Sequence, residues 1–317
     1  MIREQGLISV EQYMSLCNAL YYATRDPLGE RGDFTTAPEI SQMFGEIVGG
    51  VLADCWLRAG APGDAAYVEL GPGRGTLAAD ALRVLRHAGF EGSVHFVETS
   101  PLLRDSQRQR HPDARWHDSL ITIPEGGPIL LVANEFFDAL PVRQWVGMRE
   151  RRILFEGDRL EFDITGAIRE DSPARDAAAW EIGAQLNARG GTALVIDYGH
   201  ARSSLGETLQ AVRGHRYANV LDNPGEQDLT AHVDFEALAK AASVGQVTIS
   251  RVVRQGEWLK RLGIDARAAA LAAAHPDLAG QIESERARLC ASEAMGDLFK
   301  VMAIQGPNWP APAGFEP

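Results

Sequence analysis

Two short runs of the 317-residue sequence place glycines and carboxylates at spacings that could do chemistry. The first run, from Glu69 to Thr76, reads Glu-Leu-Gly-Pro-Gly-Arg-Gly-Thr and follows a short apolar stretch. Gly71, Gly73 and Gly75 let the backbone turn tightly and approach a ligand, while the N–H groups of a following helix point at it. The run therefore predicts a ligand-binding turn, with a purely structural tight turn as the alternative.

An acidic residue, Glu98, ends the next apolar stretch, 25 residues after Gly73. A carboxylate at that place can accept hydrogen bonds from both hydroxyls of a ribose. A dinucleotide fingerprint would need a glycine where Thr76 stands, and no Gly-Lys-Ser/Thr run of a kinase-type phosphate loop follows. These signals predict a nucleotide-like ligand and argue against a nicotinamide oxidoreductase.

The second run begins where the apolar stretch 129–133 passes directly into Asn134 and Glu135, with Asp138 three residues later. In a doubly wound sheet, the residue after a strand's carboxyl end faces the ligand crevice. Carboxylates there suit a cationic substrate. A guanidinium, for example, is bound bidentately by Glu or Asp, and one of its nitrogens can then become the nucleophile. We therefore predict Asn134, Glu135 and Asp138 as catalytic residues. The alternative for Asp138 is that it caps a helix starting at Ala139.

The elements that must position these residues follow an alternating pattern from residue 66 onward. Short apolar runs separated by helical stretches indicate a parallel sheet covered on both faces. The expected fold class is therefore α/β, with a mostly parallel, doubly wound, Rossmann-like sheet. The predicted strands lie at 67–70, 93–97, 114–117, 129–133, 193–196, 246–253 and 298–304.

The chain divides into a cap, a core and a tail. Residues 1–65 are expected to form an N-terminal helical cap, because Ser9 with Gln12 and Thr36 with Glu39 form capping boxes. Residues 66–304 form the core, which contains a small antiparallel insertion at 142–170 and a second insertion at 199–233. The second insertion looks like a long loop, since it is polar and lacks periodicity. Residues 305–317 are expected to be a proline-extended tail.

Composition excludes several classes of function. The chain carries 31 Lys+Arg against 43 Asp+Glu, a net charge of −12, so it is poorly suited to grip nucleic acid. No apolar stretch approaches the length of a membrane span. Three widely spaced cysteines argue against a disulfide framework and against a cysteine zinc site. His215, Asp228 and His232 have irregular spacing, which favours hydrogen bonds that order a loop over a metal site.

The Glu69–Thr76 turn resembles motif I of class I S-adenosylmethionine-dependent methyltransferases, and nearly the whole chain resembles the MidA family. Two runs carry most of that resemblance: Asn-Glu-Phe-Phe-Asp-Ala-Leu-Pro and Asp-Leu-Thr-Ala-His-Val-Asp-Phe. The segment around Tyr21 and Tyr22 is shorter than is usual in the family. The matching stretches, in order, are 32–46, 69–77, 98–101, 134–141, 197–199, 208–211, 228–235, 255–259 and 295–300.

The resemblance implies a fold and a cofactor. A class I methyltransferase fold would bind S-adenosyl-L-methionine, with Glu69 near the ammonium end of its methionine part. Asp118 and Ser119 would lie at the adenine, although Asp118 could instead cap a helix. The polar loop containing Gly32 and Asp33 would face the cofactor, with a simple capped turn as the alternative.

The resemblance also implies an activity. The expected reaction is methyl transfer to arginine of a protein substrate, such as a respiratory complex I subunit during assembly of that complex. The sequence has no targeting segment, so the expected compartment is the bacterial cytoplasm, or the mitochondrial matrix for a processed form. The alternatives are a non-catalytic assembly factor that binds the cofactor and a small-molecule O- or N-methyltransferase. The degree of methylation and the oligomeric state are left open.

Overall fold

The computed structural model describes residues 6–24 and 35–316 of the chain. The predicted cofactor contacts Gly32 and Asp33 lie outside these ranges. The α-helices within them are α1 (Val10–Thr24), α2 (Ala37–Ile40), α3 (Gln42–Arg58), α4 (Thr76–His87), α5 (Pro101–Arg110), α6 (Pro173–Arg189), α7 (Phe235–Ala242), α8 (Gln255–Arg261), α9 (Ile264–Ala274) and α10 (Ala279–Cys290).

The strands are distributed over the whole described chain. They are β1 (Leu7–Ser9), β2 (Ala66–Leu70), β3 (Val94–Val97), β4 (Arg115–His117), β5 (Ile129–Asn134), β6 (Arg143–Val146), β7 (Arg149–Glu150), β8 (Arg152–Glu156), β9 (Arg159–Phe162), β10 (Ile168–Asp171), β11 (Gly191–His200), β12 (Gln210–Arg213), β13 (Arg216–Ala218), β14 (Asp228–Thr230), β15 (Val233–Asp234), β16 (Thr248–Ile249), β17 (Val253–Arg254) and β18 (Phe299–Gln305).

The central sheet has the strand order β16-β18-β11-β5-β2-β3-β4. The pairs from β11 to β4 are parallel, whereas β18 runs antiparallel to β11. The chain leaves β2 toward β3 and β4, then returns to β5 on the other side of β2. The order therefore reverses between β2 and β5, which is where open α/β sheets bind ligands. The predicted doubly wound, mostly parallel sheet is confirmed.

Helices cover both faces of this sheet because its strands are apolar on both sides. Alternate strand residues such as Leu130 and Leu194 join one buried cluster, which includes residues of α3 and α4. Their neighbours Leu131 and Val195 join a second cluster with residues of α6 and α7. Strands buried on both faces carry continuous apolar runs, which is why the sequence predicted them.

The N-terminal region is only partly as predicted. The Ser9 capping box is confirmed, since Ser9 Oγ accepts from Gln12 N and Gln12 Oε1 accepts from Ser9 N, both at 3.1 Å. The Thr36 box is wrong, because the Thr36 side chain makes no capping hydrogen bond. The Glu39 carboxylate instead accepts from Thr76 Oγ1 at 2.5 Å. A new helix, α3, then starts at Ser41, whose Oγ accepts from Met43 N.

The two insertions contain more strand structure than the sequence indicated. Strands β6 to β10 are antiparallel, and β1 from the N-terminal cap pairs with β8, so the cap is not purely helical. Within 199–233, strands β12, β13 and β14 form a small sheet where a loop was expected. These strands are short and β13 is exposed, so they lack the alternating apolar pattern that would predict them. The predicted strand 246–253 is interrupted and forms β16 and β17.

Close packing of α3 against α4 gives a stability prediction. A Cβ on Gly49 would lie 2.6 Å from Ala81 O of α4, whereas a Cβ on the adjacent Gly50 would meet nothing within 4 Å. We expect Gly49→Ala to lower the free energy of unfolding by about 1–3 kcal/mol through overpacking. Gly50→Ala should raise it by up to about 1 kcal/mol through helix propensity. Urea denaturation of both variants is the measurement, and equal shifts would contradict the close contact.

Candidate active site

A cavity of about 570 Å³ opens where β2, β3 and β5 end at their carboxyl ends. It brings together most of the residues predicted from the sequence, although they are spread over 67 positions of the chain. Gly75 and Asp138 do not line it. The predicted residues that do are Glu69, Gly71, Gly73, Thr76, Glu98, Asp118, Ser119, Asn134 and Glu135.

The glycine turn adopts the tight, left-handed conformation that glycines allow. Gly71, Gly73 and Gly75 have φ values of 60°, 55° and 75°, a left-handed region that other residues adopt at a cost. A Cβ on Gly71 would lie 3.2 Å from the Phe136 ring, so the turn lies against the end of β5. Gly75 directly precedes α4 and packs on His111, on the side away from the cavity. Its role is therefore to shape the turn.

Glu69 lies at the floor of the cavity with only 2% of its surface exposed. Tyr67 donates its hydroxyl proton to Glu69 Oε2 at 2.6 Å. Burial raises the pKa of Glu69 to about 7, despite this hydrogen bond. A carboxyl group in that environment gains from a cationic partner that restores its charge.

The Glu98 carboxylate is held in place by two hydrogen bonds. Its Oε1 accepts from Ser100 N at 2.8 Å, and its Oε2 accepts from Gln107 Nε2 at 3.3 Å. The same Gln107 amide donates to Gly73 O at 2.6 Å, which ties the carboxylate to the glycine turn. Burial raises the pKa of Glu98. The two carboxylate oxygens of Glu98 are thus oriented so that they could accept hydrogen bonds from the two hydroxyls of a diol.

Asp118 occupies the rim, with 83% of its side chain exposed. Its carboxylate pairs with Arg104 at 2.6 Å, and Arg104 also donates to the main-chain oxygen of Glu98. The 3₁₀ turn Leu120–Thr122 that follows has no side-chain cap, so the capping alternative for Asp118 is wrong. Asp118 and Ser119 are thus on the cavity wall beside Glu98.

The backbone after β5 adopts an unusual conformation at Glu135, whose φ is 49°. A non-glycine residue in the left-handed region is uncommon and clusters at functional sites. Asp197 holds the turn that follows: its Oδ2 accepts from Phe137 N and Asp138 N at 3.0 and 3.2 Å, and its Oδ1 accepts from Tyr198 N at 2.9 Å. Asp197 is fully buried and does not line the cavity, so its part in the site is to hold this turn.

Arg175 clamps the same turn from α6 and was missed by the sequence analysis. Its guanidinium donates to Phe137 O at 2.7 Å and Asp138 O at 3.1 Å, and also to Ala231 O and His232 O. Burial lowers the pKa of Arg175. Its donors are used on main-chain oxygens, so it does not compete for the cavity's carboxylates. The only sequence signal was the helix start at Ser172, which caps α6.

The Glu135 carboxyl faces the cavity, where Oε1 accepts from Ala37 N at 3.2 Å and Asn134 Nδ2 at 3.4 Å. Burial, with Asp138 close by, raises the pKa of Glu135 to about 8. Asn134 Oδ1 and Asp138 Oδ1 are buried without a hydrogen-bond partner. Of these groups Asn134 and Glu135 line the cavity, and a ligand with several N–H donors and a positive charge would satisfy their acceptors.

Asp138 departs from its predicted position. It is 6% exposed and lies behind Glu135 rather than on the cavity wall. No helix begins at Ala139; a turn follows, in which Leu140 N donates to Phe137 O, so the helix-cap alternative is also wrong. Burial raises the pKa of Asp138. The geometry gives Asp138 an electrostatic influence on Glu135 in place of direct contact with an acceptor.

Helix α1 supplies two polar cavity residues that the sequence analysis did not predict as site residues, Asn18 and Tyr22. Asn18 Nδ2 donates to Ala139 O at 3.0 Å and Leu229 O at 2.8 Å. Tyr22 donates its hydroxyl proton to Asp228 Oδ1 at 2.8 Å. The spacing of four residues places Asn18 and Tyr22 on one helix face, which was the available signal.

The sheet order, the left-handed glycine turn and the ribose-type carboxylate after β3 define a class I methyltransferase. The family described as "Putative S-adenosyl-L-methionine-dependent methyltransferase" matches residues 47–164 and 157–252. The chain belongs to this family and is an S-adenosyl-L-methionine-dependent methyltransferase, as the sequence resemblance indicated.

Its relatives match over almost the full chain. The protein arginine methyltransferase NDUFAF7, mitochondrial, of Xenopus tropicalis is 34% identical and covers 96% of this chain and 83% of its own length. The Homo sapiens protein of the same name is 33% identical, with 96% and 81% covered. A Burkholderia thailandensis crystal structure with S-adenosylhomocysteine bound has a TM-score of 0.81 at 25% identity, and the match covers 99% of this chain and 90% of that one.

The cavity fits S-adenosyl-L-methionine on its own chemistry. The Glu69 carboxyl suits an ammonium group and the oriented Glu98 carboxylate suits a ribose diol, while the left-handed turn leaves space for the ligand between them. None of the helices in residues 6–24 and 35–316 is long and apolar enough to cross a membrane.

Glu98 and Asp118 provide a paired test of cofactor binding. Glu98→Gln removes the charge that accepts from the ribose hydroxyls, so we expect cofactor affinity to fall about 10- to 100-fold. Asp118→Asn changes a solvent-exposed charge at the rim and should cost less than about threefold. Isothermal titration with S-adenosyl-L-methionine measures both. A larger loss at Asp118 would show that the adenine contact outweighs the ribose contact.

Glu69 predicts a pH dependence of cofactor affinity. The ammonium group binds the carboxylate form, and burial raises the pKa of Glu69 to about 7. Affinity should therefore rise by up to about tenfold per pH unit below pH 7 and level off above it. Titrations below about pH 7.5 keep the α-amino group of the cofactor protonated. Glu69→Gln should flatten this profile, and an unchanged slope in that variant would contradict the assignment.

Proposed function

We propose that the protein transfers a methyl group to the guanidinium of an arginine side chain in a protein substrate. The observation that carries this is the Glu135 carboxyl, half-buried just after β5 at a residue with left-handed backbone and facing the cofactor cavity. The acceptors around it favour a multi-donor cation. The curated relatives are named protein arginine methyltransferases, which supports the same substrate class.

The chain's own residues then have defined tasks in the reaction. Bound cofactor supplies a methyl group activated by its positively charged sulfur. Glu135 binds one edge of the guanidinium and draws its charge toward the bonded N–H groups, so that the lone pair of another nitrogen faces the methyl carbon. As the N–C bond forms, the C–S bond breaks and sulfur keeps the electron pair. The displaced N–H proton passes to Glu135, since the methylated guanidinium retains a single positive charge.

The substrate and its compartment follow from the family resemblance. We infer that the acceptor is a respiratory complex I subunit and that methylation serves assembly of that complex. The relatives are named mitochondrial, which supports the matrix for a processed eukaryotic form; a bacterial form would work in the cytoplasm. Pull-down from the native host tests this. A recovered complex I subunit that carries methylarginine is the expected result, and an unmethylated, unrelated partner would contradict it.

Glu135→Gln tests the proposed catalytic role. Gln keeps the acceptor for Ala37 N but can neither hold a guanidinium by charge nor take its proton, so kcat should fall by about 10²–10⁴-fold. Cofactor affinity should change by less than about threefold. At saturating cofactor, kcat/KM for the acceptor should rise with pH up to about 8, because burial raises the pKa of Glu135 to about 8, and the variant should lose this rise.

Glu181→Gln is the matched control, because Glu181 lines the same cavity from α6. It should retain activity within a few-fold. The assay is methyl transfer to a host lysate, with methylarginine identified by mass spectrometry. Label that appears only on small molecules, or a Glu135→Gln variant as active as wild type, would overturn the proposal.

A further inference from the structure

The acceptor side of the cavity has a second wall formed by α1. Tyr22 lines the same cavity as Glu135, although the two residues are far apart in the sequence. Burial, with the nearby charges of Asp228 and Asp138, raises the pKa of Tyr22 well above its usual range. Its phenol group therefore stays protonated.

The hydrogen bonding of Tyr22 determines what its hydroxyl can offer a ligand. The single hydroxyl proton is donated to Asp228 Oδ1 at 2.8 Å. Asp228 is itself 3% exposed, so this partner is fixed inside the protein. A phenol that has donated its proton retains only lone pairs, and donation to a carboxylate makes that oxygen a stronger acceptor. Tyr22 thus adds an acceptor to the cavity wall.

The Asn134 side chain is also oriented so that it presents a hydrogen-bond acceptor. Its Nδ2 donates to Glu135 Oε1, which leaves Oδ1 as its free acceptor. Tyr22, Asn134 and Glu135 therefore all present acceptors on the acceptor side. A guanidinium offers five N–H donors in a planar fork, an ammonium offers three from one atom, and a hydroxyl offers one. The guanidinium has more donors than the ammonium, and they are spread over three nitrogen atoms, so it suits several separated acceptors better.

Tyr22 is also tied to the cofactor side of the cavity. Its main-chain oxygen accepts from Ser100 Oγ at 2.7 Å, and Ser100 N donates to Glu98 Oε1 at 2.8 Å. The Tyr22 backbone is therefore tied to the segment that holds the ribose-type carboxylate. An acceptor bound against Tyr22 is placed relative to the cofactor by two hydrogen bonds.

We propose that Tyr22, oriented by Asp228, is a specificity-determining residue that accepts an N–H of the acceptor and selects a guanidinium over an ammonium. The assignment deepens the proposed function and rests on it for the identity of the reaction. The selectivity itself can be measured by binding alone.

The experiment uses full-length protein saturated with S-adenosylhomocysteine and two probes, N-acetylarginine amide and N-acetyllysine amide. Their dissociation constants are measured by NMR titration. Wild type should bind the arginine probe at least about tenfold more tightly than the lysine probe. Tyr22→Phe, which keeps the ring, should weaken arginine binding about 5- to 10-fold and change lysine binding and S-adenosylhomocysteine affinity by less than about twofold.

Tyr13→Phe is the matched control on the same helix. The Tyr13 hydroxyl donates to Val220 O at 2.9 Å, and Tyr13 does not line the cavity. It should leave both probes unchanged. Should Tyr22→Phe fail to fold, as judged by circular dichroism, Asp228→Ala provides the second variant, because it removes the oxygen that accepts the Tyr22 proton, lets the hydroxyl rotate and should reduce the arginine preference at least about threefold.

The outcomes separate this assignment from the proposed function. Tyr22→Phe with undiminished arginine preference, or wild type that does not discriminate between the probes, overturns the assignment. An equal loss in Tyr13→Phe does so too, since the effect would then be a general one of α1. Selective probe binding without any methylarginine in the lysate assay would support the assignment and overturn the proposed reaction. Methylarginine formation with an unchanged acceptor KM in Tyr22→Phe would support the proposed reaction and overturn the assignment of Tyr22.

Discussion

The active-site geometry depends on one buried carboxylate, that of Asp197. It accepts three main-chain N–H groups and so holds the turn after β5 from the neighbouring strand β11. The left-handed backbone at Glu135 costs roughly 1–3 kcal/mol. Three hydrogen bonds to this buried carboxyl group, together with the Arg175 clamp on the same turn, are of sufficient size to offset that cost. Without them Glu135 would have no fixed direction.

The cavity brings together several carboxyl groups whose charged forms are destabilised by burial. Glu69, Glu98 and Glu135 all have raised pKa values because burial penalises their charged forms. The ligands of a methyltransferase compensate for this, since the cofactor brings an ammonium and a sulfonium group and the proposed acceptor brings a guanidinium. Desolvation of the carboxyl groups therefore makes the site favour cations. The cofactor side and the acceptor side of the cavity are connected by hydrogen bonds through Glu98, Ser100 and Tyr22.

Much of the fold could be predicted because its signals are local. The strands of the sheet are apolar on both faces, and the glycine turn requires left-handed backbone at three positions. The parts that failed lack such signals. Thr36 and Glu39 have capping-box spacing, but Thr76 offers Glu39 a partner that no local pattern reveals. The small sheet β12–β14 has short, partly exposed strands, so its pairing depends on residues elsewhere in the chain.

The sequence by itself determined the sheet, the cofactor turn and the carboxylates at the strand ends, because strand direction places those residues at one edge. Only the tertiary structure decided which of them reach the cavity. Asp138 turns behind Glu135 because Asp197, 59 residues away, holds its N–H. Tyr22 becomes part of the acceptor wall because Asp228, 206 residues away, accepts its proton. Contacts over such separations depend on packing of the whole chain, which no spacing of residues encodes.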